Sequence, residues 1–290
     1  MRQIKGMDVA AAINERIKEG LAKLPEGARM PKLAIIRVGE RPDDMSYERG
    51  ATKRMATVGI DCESFVFPGD ISNEDFVKEF DKINEDENVD GILMLRPLPK
   101  QIDEVAITKR IAWEKDVDCI SPTNMAKLFM GDSDGFAPCT PEAVIEMLDY
   151  SGMPLSGKNA VVIGRSMVVG KPLSMLLLKK NCTVTICHTR TVDMPAICRK
   201  ADIVVAAAGK AYMVDETFAT EGTTKAMVDV GINWDEEKGK LCGDISTDRV
   251  MEAMANDDEA FITPVPGGVG SVTTSVLASH VFEAYCRKYS

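Results

Sequence analysis

The sequence predicts an α/β protein with two domains, each built on parallel strands. Two observations carry this prediction. Short apolar, β-branched runs alternate with helical stretches from residue 32 onward, and most of these runs are apolar on both faces. Strands of this kind, separated by helices, are typical of parallel sheets that are covered on both sides. At 290 residues the chain is long enough for two cores.

The elements follow in order along the chain. Residues 1–20 have the spacing of an amphipathic helix and differ from a secretory signal. The last stretch, residues 270–290, has helical apolar spacing after a Gly-Gly turn. Between them lie the predicted strands: KLAIIRV (32–38), CESFVFP (62–68), GILML (91–95), NAVVIG (159–164), TVTIC (183–187), DIVVAAAG (202–209), KAMVDVGI (225–232) and AFITPV (260–265). The Gly-, Ser- and Pro-rich segment 150–159 predicts the entry into the second domain, with the break near 141–158.

Composition and charge exclude several classes of protein. The formal net charge of −10 argues against nucleic acid, because a phosphate-binding surface needs clustered Lys and Arg. No apolar run approaches the roughly 18 residues that a membrane span requires. The eight cysteines are scattered without CxxC pairs, which argues against a zinc site or a disulfide framework and indicates a reducing compartment. We therefore expect a cytoplasmic protein with no metal and no membrane partner.

The run GRSMVVGKP, from Gly164 to Pro172, follows a predicted strand and precedes a helical pattern. Free backbone N–H groups and the helix dipole converge at such a junction, so it predicts a phosphate-binding site of the Rossmann-like kind. Only Gly164 and Gly170 are glycines, so the spacing departs from GxGxxG, and a glycine turn without a ligand is the alternative. The glycine spacing and the Pro172 that follows Lys171 exclude a P-loop.

The next strand ends in Cys187-His188-Thr189-Arg190, where an NAD site usually places an acid for the ribose 2′-hydroxyl. Arg165, Thr189 and Arg190 instead predict a site for a 2′-phosphate, because arginine offers bidentate donors and a permanent charge. NADP is therefore favoured, and NAD is the alternative. Arg190 as a solvated surface residue is the other interpretation of that side chain.

Several motifs together carry a resemblance to a known family. These are GRSMVVGKP, CHT, ADIVVAAAG, VDVGIN, KDVDC (115–119), PCTP (138–141) and above all ITPVPGGVGSVT (262–273). They closely resemble the methylenetetrahydrofolate dehydrogenase/cyclohydrolase family, and the similarity runs from about residue 4 to residue 286.

The resemblance implies an architecture and an activity. It implies a substrate domain over residues 1–140, completed by the C-terminal helix 270–290, and a Rossmann-like, doubly wound dinucleotide domain over residues 141–265. Folate is expected in a cleft between the domains, and a homodimer through the dinucleotide domain. The implied reaction is the oxidation of 5,10-methylenetetrahydrofolate to 5,10-methenyltetrahydrofolate, followed in most members by hydrolysis to 10-formyltetrahydrofolate.

The resemblance also assigns the site residues. Tyr47 and Asp118 are the expected catalytic pair, with Tyr47 stacked near the pterin and Asp118 accepting from its donor-rich edge. A core aromatic and a helix cap are the respective alternatives. Further folate contacts are expected at Leu95, Pro264, Val265, Pro266, Gly267, Gly268, Val269 and Gly270. Dinucleotide contacts are expected at Gly164, Arg165, Ser166, Val169, Gly170, Pro172, Thr189, Arg190, Gly209, Ile232 and Thr273.

The sequence departs from the family at two positions of the folate site. Bifunctional members carry Tyr-x-x-x-Lys, but here Ala51 stands at the lysine position after Tyr47. Leu95 stands where members usually carry the glutamine that touches that lysine. Lys53 is a poor substitute, because at about 100° per residue it lies well round the helix from position 51.

These departures predict a dehydrogenase with weak or absent cyclohydrolase activity. Hydride transfer mainly needs alignment of the two reacting carbons, whereas hydrolysis needs managed proton transfer, which alanine cannot supply. One alternative is the fully bifunctional enzyme, with Lys53 or another amine in the site. A second is a folate- or dinucleotide-binding protein without turnover. A hydroxy-acid dehydrogenase is disfavoured, since neither His188 nor His280 suits the usual catalytic histidine.

Overall fold

We describe residues 1–289 of the chain from a computed structural model. The strands are β1 (Arg2–Gln3), β2 (Lys32–Val38), β3 (Asp61–Phe67), β4 (Gly91–Met94), β5 (Asn159–Ile163), β6 (Thr183–Cys187), β7 (Ile203–Ala206), β8 (Ala226–Asp229), β9 (Asn233–Asp235), β10 (Lys240–Cys242) and β11 (Phe261–Ile262). The helices are α1 (Gly6–Leu21), α2 (Pro42–Val58), α3 (Asn73–Glu85), α4 (Glu104–Arg110), α5 (Pro122–Met130), α6 (Cys139–Tyr150), α7 (Gly170–Lys179), α8 (Met194–Cys198), α9 (Thr247–Ala253) and α10 (Thr273–Lys288).

The chain divides into two compact units. The three-stranded unit comprises residues 12–139 and the chain from Thr274 onward, and the six-stranded unit comprises residues 1–11 and 140–273. Residues 270–273 lie in the six-stranded unit, although they were predicted to complete the substrate domain. The first eleven residues were also predicted for the substrate domain. They belong to the six-stranded unit because β1 pairs in parallel with β11, with Arg2 opposite Phe261. Ser290, the last residue of the predicted C-terminal helix, lies outside the described residues.

The three-stranded sheet has the order β3-β2-β4, and both outer strands pair with β2 in parallel. Ile36 of β2 and Ile92 of β4 are buried in one apolar cluster with Phe76 and Phe80 of α3. Helix α2 leaves the carboxyl end of β2, begins with Pro42 in its first turn and ends before a left-handed Gly59. Proline suits a first turn, because its missing N–H has no partner there in any helix. This placement brings α2 back alongside the strand that precedes it.

The six-stranded sheet has the order β1-β11-β8-β7-β5-β6 and is parallel throughout. From β5 the chain adds β6 on one side and then crosses to β7 on the other. In open α/β sheets a ligand binds beyond the carboxyl ends of the strands at such a reversal. The topology therefore predicts a ligand-binding site at the residues that follow β5 and β7.

The predicted strands all form, within a few residues at each end. The predicted N-terminal helix begins only at Gly6, because the residues before it form β1. The antiparallel pair β9 and β10 was not predicted. Strands β3 and β6 have largely exposed side chains, so the expectation of two covered faces fails there.

Some features are absent from residues 1–289. No helix there is both long enough and apolar enough to cross a membrane. All eight cysteines are free thiols. Within the same residues, no group of three or more His, Cys, Asp or Glu side chains is arranged to hold a metal ion.

Candidate active site

The loop from Gly164 to Gly170, which we call the cofactor loop, joins β5 to α7 and depends on both of its glycines. Gly164 has a φ of +140°, and a Cβ there would overlap the carbonyl oxygen of Ala207. A Cβ on Gly170 would overlap the carbonyl of Gly164 and lie 2.8 Å from the nitrogen of Arg165. The start of α7 therefore packs directly on the end of β5, at a distance that only glycine allows.

Ser166 organises the start of α7. Its hydroxyl oxygen accepts hydrogen bonds from the N–H groups of Val169 at 3.1 Å and Gly170 at 3.4 Å. The N–H groups of residues 165–168 donate no hydrogen bond within the described chain. These free donors, at the positive end of a ten-residue helix, form a cradle suited to a phosphate group.

The two arginines predicted to read a 2′-phosphate are exposed, Arg165 within the cofactor loop and Arg190 after the next strand. Arg165 follows β5, and Thr189 and Arg190 follow the adjacent strand β6. The turn after β6 is closed by the N–H of His188, which donates to Thr191 Oγ1 at 2.8 Å. No carboxylate within residues 1–289 pairs with either guanidinium. Two exposed, uncompensated guanidinium groups suit the additional phosphate of NADP.

The other predicted cofactor residues also lie in the six-stranded unit. Pro172 is buried in the first turn of α7, and Gly209 follows β7 with a φ of +64° and open space on the side where a Cβ would project. Ile232 is 65% exposed. Thr273 Oγ1 donates to the Gly270 carbonyl at 3.2 Å and is buried.

Two buried aspartates that the sequence analysis missed hold the loops after β7 and β8. The carboxylate of Asp244 accepts three consecutive backbone N–H groups, from Ala208 at 2.6 Å, Gly209 at 2.9 Å and Lys210 at 2.8 Å. Its Oδ1 also accepts from the side chain of Asn233 at 2.9 Å. Asp244 thereby fixes the segment that includes the predicted cofactor residue Gly209.

Asp229 supports Asp244 in turn. Its carboxylate accepts the N–H groups of Gly231 at 2.9 Å, Asp244 at 3.0 Å and Ile245 at 2.8 Å. Burial raises the pKa of Asp229 to about 6 in spite of these donors. A Cβ on Gly231 would overlap the carboxylate of Asp244, and one on Gly243 would overlap that of Asp229. The sequence signal was an aspartate two residues before a glycine in VDVG and an aspartate directly after a glycine in GD.

The predicted folate loop, Pro264 to Gly270, lies in the six-stranded unit directly after β11. A Cβ on Gly268 would overlap the carbonyl oxygen of Pro264, and Gly267 has a φ of +98°. The Gly267 carbonyl accepts the N–H of Gly6 at 2.8 Å. The close turns of this loop explain Gly267 and Gly268 without any ligand, whereas Gly270, like Pro266, is exposed and a Cβ there would meet nothing closer than 3.6 Å.

The remaining predicted folate residues lie in the three-stranded unit. Tyr47 is half-buried in the second turn of α2, and Ala51, one turn later on the same face, is completely buried. Leu95 follows β4 and is 7% exposed, and its N–H donates to the Ile36 carbonyl of β2 at 2.9 Å. Lys53 is exposed, as its angle from Ala51 predicts. Positions 51 and 95 therefore contribute only apolar side chains to this unit.

Asp118 lies beyond the point where Asp116 bridges to β4. Its Oδ1 accepts the N–H of Cys139 at 3.1 Å, and burial raises the pKa of its carboxyl group. The negative charge of Asp116 acts in the same direction. When it is ionised, this carboxyl group can accept hydrogen bonds from a donor-rich ligand edge, and such donors would favour the charged form that burial disfavours.

A parallel sheet with a strand-order reversal, a glycine-bounded cradle and free backbone donors at that reversal defines a Rossmann-like dinucleotide-binding enzyme. Residues 138–289 match the family described as tetrahydrofolate dehydrogenase/cyclohydrolase, NAD(P)-binding domain, and residues 4–118 match its catalytic domain. The chain belongs to the tetrahydrofolate dehydrogenase/cyclohydrolase family.

Individual relatives agree with this assignment. The protein called bifunctional protein FolD of Alkaliphilus oremlandii is 51% identical over 284 residues, which is 98% of this chain and 96% of the relative. The solved bifunctional FolD of Campylobacter jejuni is 34% identical with a TM-score of 0.91, covering 98% of each chain. The solved FolD of Trypanosoma brucei, complexed with NADP and an inhibitor, is 35% identical with a TM-score of 0.87, covering 99% of this chain and 98% of that one.

These matches confirm the predicted family, the two-domain α/β fold and the assignment as an NADP-dependent oxidoreductase of tetrahydrofolate chemistry. They do not test the individual site residues, the domain ranges or the homodimer, which stay predictions.

Proposed function

We propose that this protein oxidises 5,10-methylenetetrahydrofolate to 5,10-methenyltetrahydrofolate with NADP, and that it hydrolyses the methenyl product slowly or not at all. The observation that carries the second half is the apolar pair at the positions of the family's lysine and glutamine. Ala51 is completely buried and Leu95 is 7% exposed, and neither side chain has a proton donor or acceptor.

The cofactor loop supports the oxidation. NADP, when bound, supplies the hydride acceptor. The free N–H groups of residues 165–168 and the guanidinium groups of Arg165 and Arg190 are proposed to hold its phosphates. Tyr47, Asp118 and the segment Pro264–Gly270 are proposed to orient the folate. Alignment of the reacting carbons is worth several orders of magnitude in rate, and none of these residues has to take up a proton.

The α2 helix supports the loss of hydrolysis. Addition of water to the methenyl carbon requires proton transfer near that carbon, a task to which a positioned amine contributes on the order of 10²- to 10⁴-fold. Ala51 has no such group, and Lys53 lies on the exposed side of the helix. The chain therefore keeps the residues for alignment and lacks the residue for proton transfer.

The second candidate is the complete bifunctional enzyme, which makes 10-formyltetrahydrofolate. It is favoured by the names of the relatives, because proteins about 50% identical to this chain are called bifunctional. It requires an ionisable group from another part of the chain to act at the methenyl carbon. The two candidate functions make opposite predictions for the hydrolysis of 5,10-methenyltetrahydrofolate.

The deciding experiment follows the methenyl absorbance of the purified protein after addition of NADP and 5,10-methylenetetrahydrofolate. We expect the band to rise with NADPH and then to decay at the buffer rate. Purified 5,10-methenyltetrahydrofolate without NADP provides the second arm, in which protein and buffer should decay alike. Protein-dependent decay well above the buffer rate would show that the protein is the complete bifunctional enzyme. If no NADPH forms, the protein binds its ligands without turnover.

We also propose a cytoplasmic homodimer that forms through the dinucleotide unit. Strand β6 is the last strand of the six-stranded order, and apolar side chains are exposed on it and near it: Ile186 at 39%, Leu178 at 57% and Val192 at 86%. An exposed strand edge with apolar neighbours is a surface that pairs with another chain. Light scattering should give twice the chain mass for the wild type and less for Ile186→Lys, with Val105→Lys as the control in the other unit.

A further inference from the structure

Arg54 lies on the face of α2 that carries Tyr47 and Ala51. Residues separated by three or four positions project from the same face of a helix, so Tyr47, Ala51 and Arg54 form one continuous stripe. We call these three residues the α2 stripe. Tyr47 and Arg54 are half-buried at its two ends, and the completely buried Ala51 lies between them. The stripe therefore keeps one cationic side chain, one turn beyond the position where the family carries its lysine.

The guanidinium of Arg54 is partly desolvated and has no acidic partner. Its Nε donates to Thr274 Oγ1 at 3.2 Å, and that is its one polar contact within residues 1–289. Burial alone accounts for the lowered pKa of Arg54. A half-buried charge without a counter-ion costs free energy unless other polar groups engage it. The remaining N–H donors of Arg54 are thus available to a ligand.

The direction of the side chain is set by the helix. Side chains of an α-helix lean towards its N-terminus, so Arg54 leans towards the turn that holds Gly50 and Ala51. Thr274, which accepts from Arg54, has its Cγ2 4.0 Å from the point where a Cβ of Gly50 would lie. Because Gly50 and Ala51 are small, no large side chain at these two positions separates Arg54 from Tyr47 along the helix.

The other basic side chains of this region are used elsewhere. Arg41 lies 3.8 Å from Asp44, and Arg37 forms an ion pair with Glu48 at 2.6 Å. Arg49 and Lys53 are exposed to solvent. Arg54 is thus the cation of α2 that combines partial burial, a position on the α2 stripe and the lack of an acid within the described residues.

We propose that Arg54 binds the folate substrate through a carbonyl or carboxylate oxygen and does not take over the proton-transfer role of the family's lysine. This proposal rests on the proposed function, because it takes the α2 stripe as part of the folate site. An arginine keeps its proton at any working pH, so it holds an oxygen acceptor firmly and does not exchange protons with water. The positive charge of Arg54 lies one helical turn beyond position 51. From there it repels the cationic methenyl product less than a cation at position 51 would.

The test compares three variants of the full-length protein. Arg54→Met removes the charge and keeps an unbranched stem, Arg54→Lys keeps the charge, and Lys53→Met removes the neighbouring exposed charge as the matched control. We expect Arg54→Met to raise the folate KM about tenfold or more, as for the loss of one charge-assisted hydrogen bond, with the NADP KM unchanged. Arg54→Lys should recover part of this loss, and Lys53→Met should behave as the wild type.

A purely structural role for Arg54 would give a different pattern. In that case Arg54→Lys and Arg54→Met would melt at the same lowered temperature and shift both KM values together, and the proposal would be wrong. An unchanged folate KM in Arg54→Met would also overturn it. If Arg54→Met does not fold, Thr274→Val provides a second test. This variant removes the oxygen that accepts from Arg54 Nε, and we expect it to raise the folate KM by a smaller factor.

A substrate without the glutamyl group identifies the acceptor. With 5,10-methylenetetrahydropteroate, loss of the Arg54→Met effect assigns the contact to a glutamate carboxylate. Persistence of the effect assigns it to the benzoyl oxygen. These outcomes are independent of the cyclohydrolase assay, because they are read from the dehydrogenase reaction, which both candidate functions share.

Discussion

The cofactor loop leads into a helix and the α2 stripe lies on one, and each of these helices follows a parallel strand. The loop and the stripe differ in the atoms that they offer. The cofactor loop offers backbone N–H groups, and glycines at positions 164 and 170 set its shape. The α2 stripe offers side chains, and one of its three positions is an alanine. A site made of backbone survives most substitutions outside its glycines, whereas a site made of side chains changes its chemistry with a single replacement. Dinucleotide binding and hydrolysis can therefore be lost independently.

The largest expected effect tests the backbone half of this comparison. Gly170→Ala introduces a Cβ that overlaps the carbonyl of Gly164, so α7 must move away from β5. A displacement of about 1 Å costs on the order of 100-fold in rate, and we expect at least that loss in kcat/KM for NADP. Gly69→Ala is the control, since its Cβ would meet nothing closer than 3.6 Å. Near-normal NADP kinetics in Gly170→Ala would contradict this prediction and would show that the cofactor loop can accommodate a Cβ at position 170.

The next effect tests the side-chain half. The double variant Ala51→Lys with Leu95→Gln restores an amine and its amide neighbour, and we expect hydrolysis of the methenyl compound to rise about 10- to 100-fold. Ala51→Met with Leu95→Gln has a similar volume without the amine and should gain nothing. If both variants stay inactive while the oxidation is normal, then the loss of hydrolysis has a cause outside these two positions.

A smaller effect concerns cofactor choice. We expect Arg165→Ala and Arg190→Ala each to raise the KM for NADP about tenfold, because each removes a charge-assisted contact to the 2′-phosphate. The KM for NAD should hardly change, since NAD lacks that phosphate. Lys200→Ala removes an exposed charge elsewhere in the same unit and should have no effect. Equal changes for NADP and NAD would contradict the assignment of the arginines.

The smallest effect is a pH dependence of folate binding. Burial raises the pKa of Asp118, so this carboxyl group takes up a proton at a higher pH than an ordinary aspartate does. Only the ionised form accepts hydrogen bonds from the pterin with both oxygens, so the folate KM should increase as the pH falls, by at most tenfold per pH unit. The NADP KM from the same series is the control. A folate KM that is independent of pH would argue against a contact with Asp118.

Sequence patterns predicted the strands because buried parallel strands leave apolar runs with sharp ends. The prediction was wrong for the first residues, where a helix was expected from residue 1 but β1 pairs with β11. A two-residue strand has no periodicity of its own, and its pairing is decided by a partner more than 250 residues away. The roles of Asp229 and Asp244 were missed for the same reason, since their hydrogen bonds join separate loops.

The sequence by itself determined the family, the two α/β domains, the cofactor loop and the two substitutions at positions 51 and 95. All of these depend on local runs of residues or on motifs with fixed spacing. Only the tertiary structure decided that Arg54 lacks an acidic partner within residues 1–289, that Thr274 holds its Nε, and that Asp244 closes the segment after β7. Burial and pairing arise from residues far apart in the chain, and no local pattern records which of them meet.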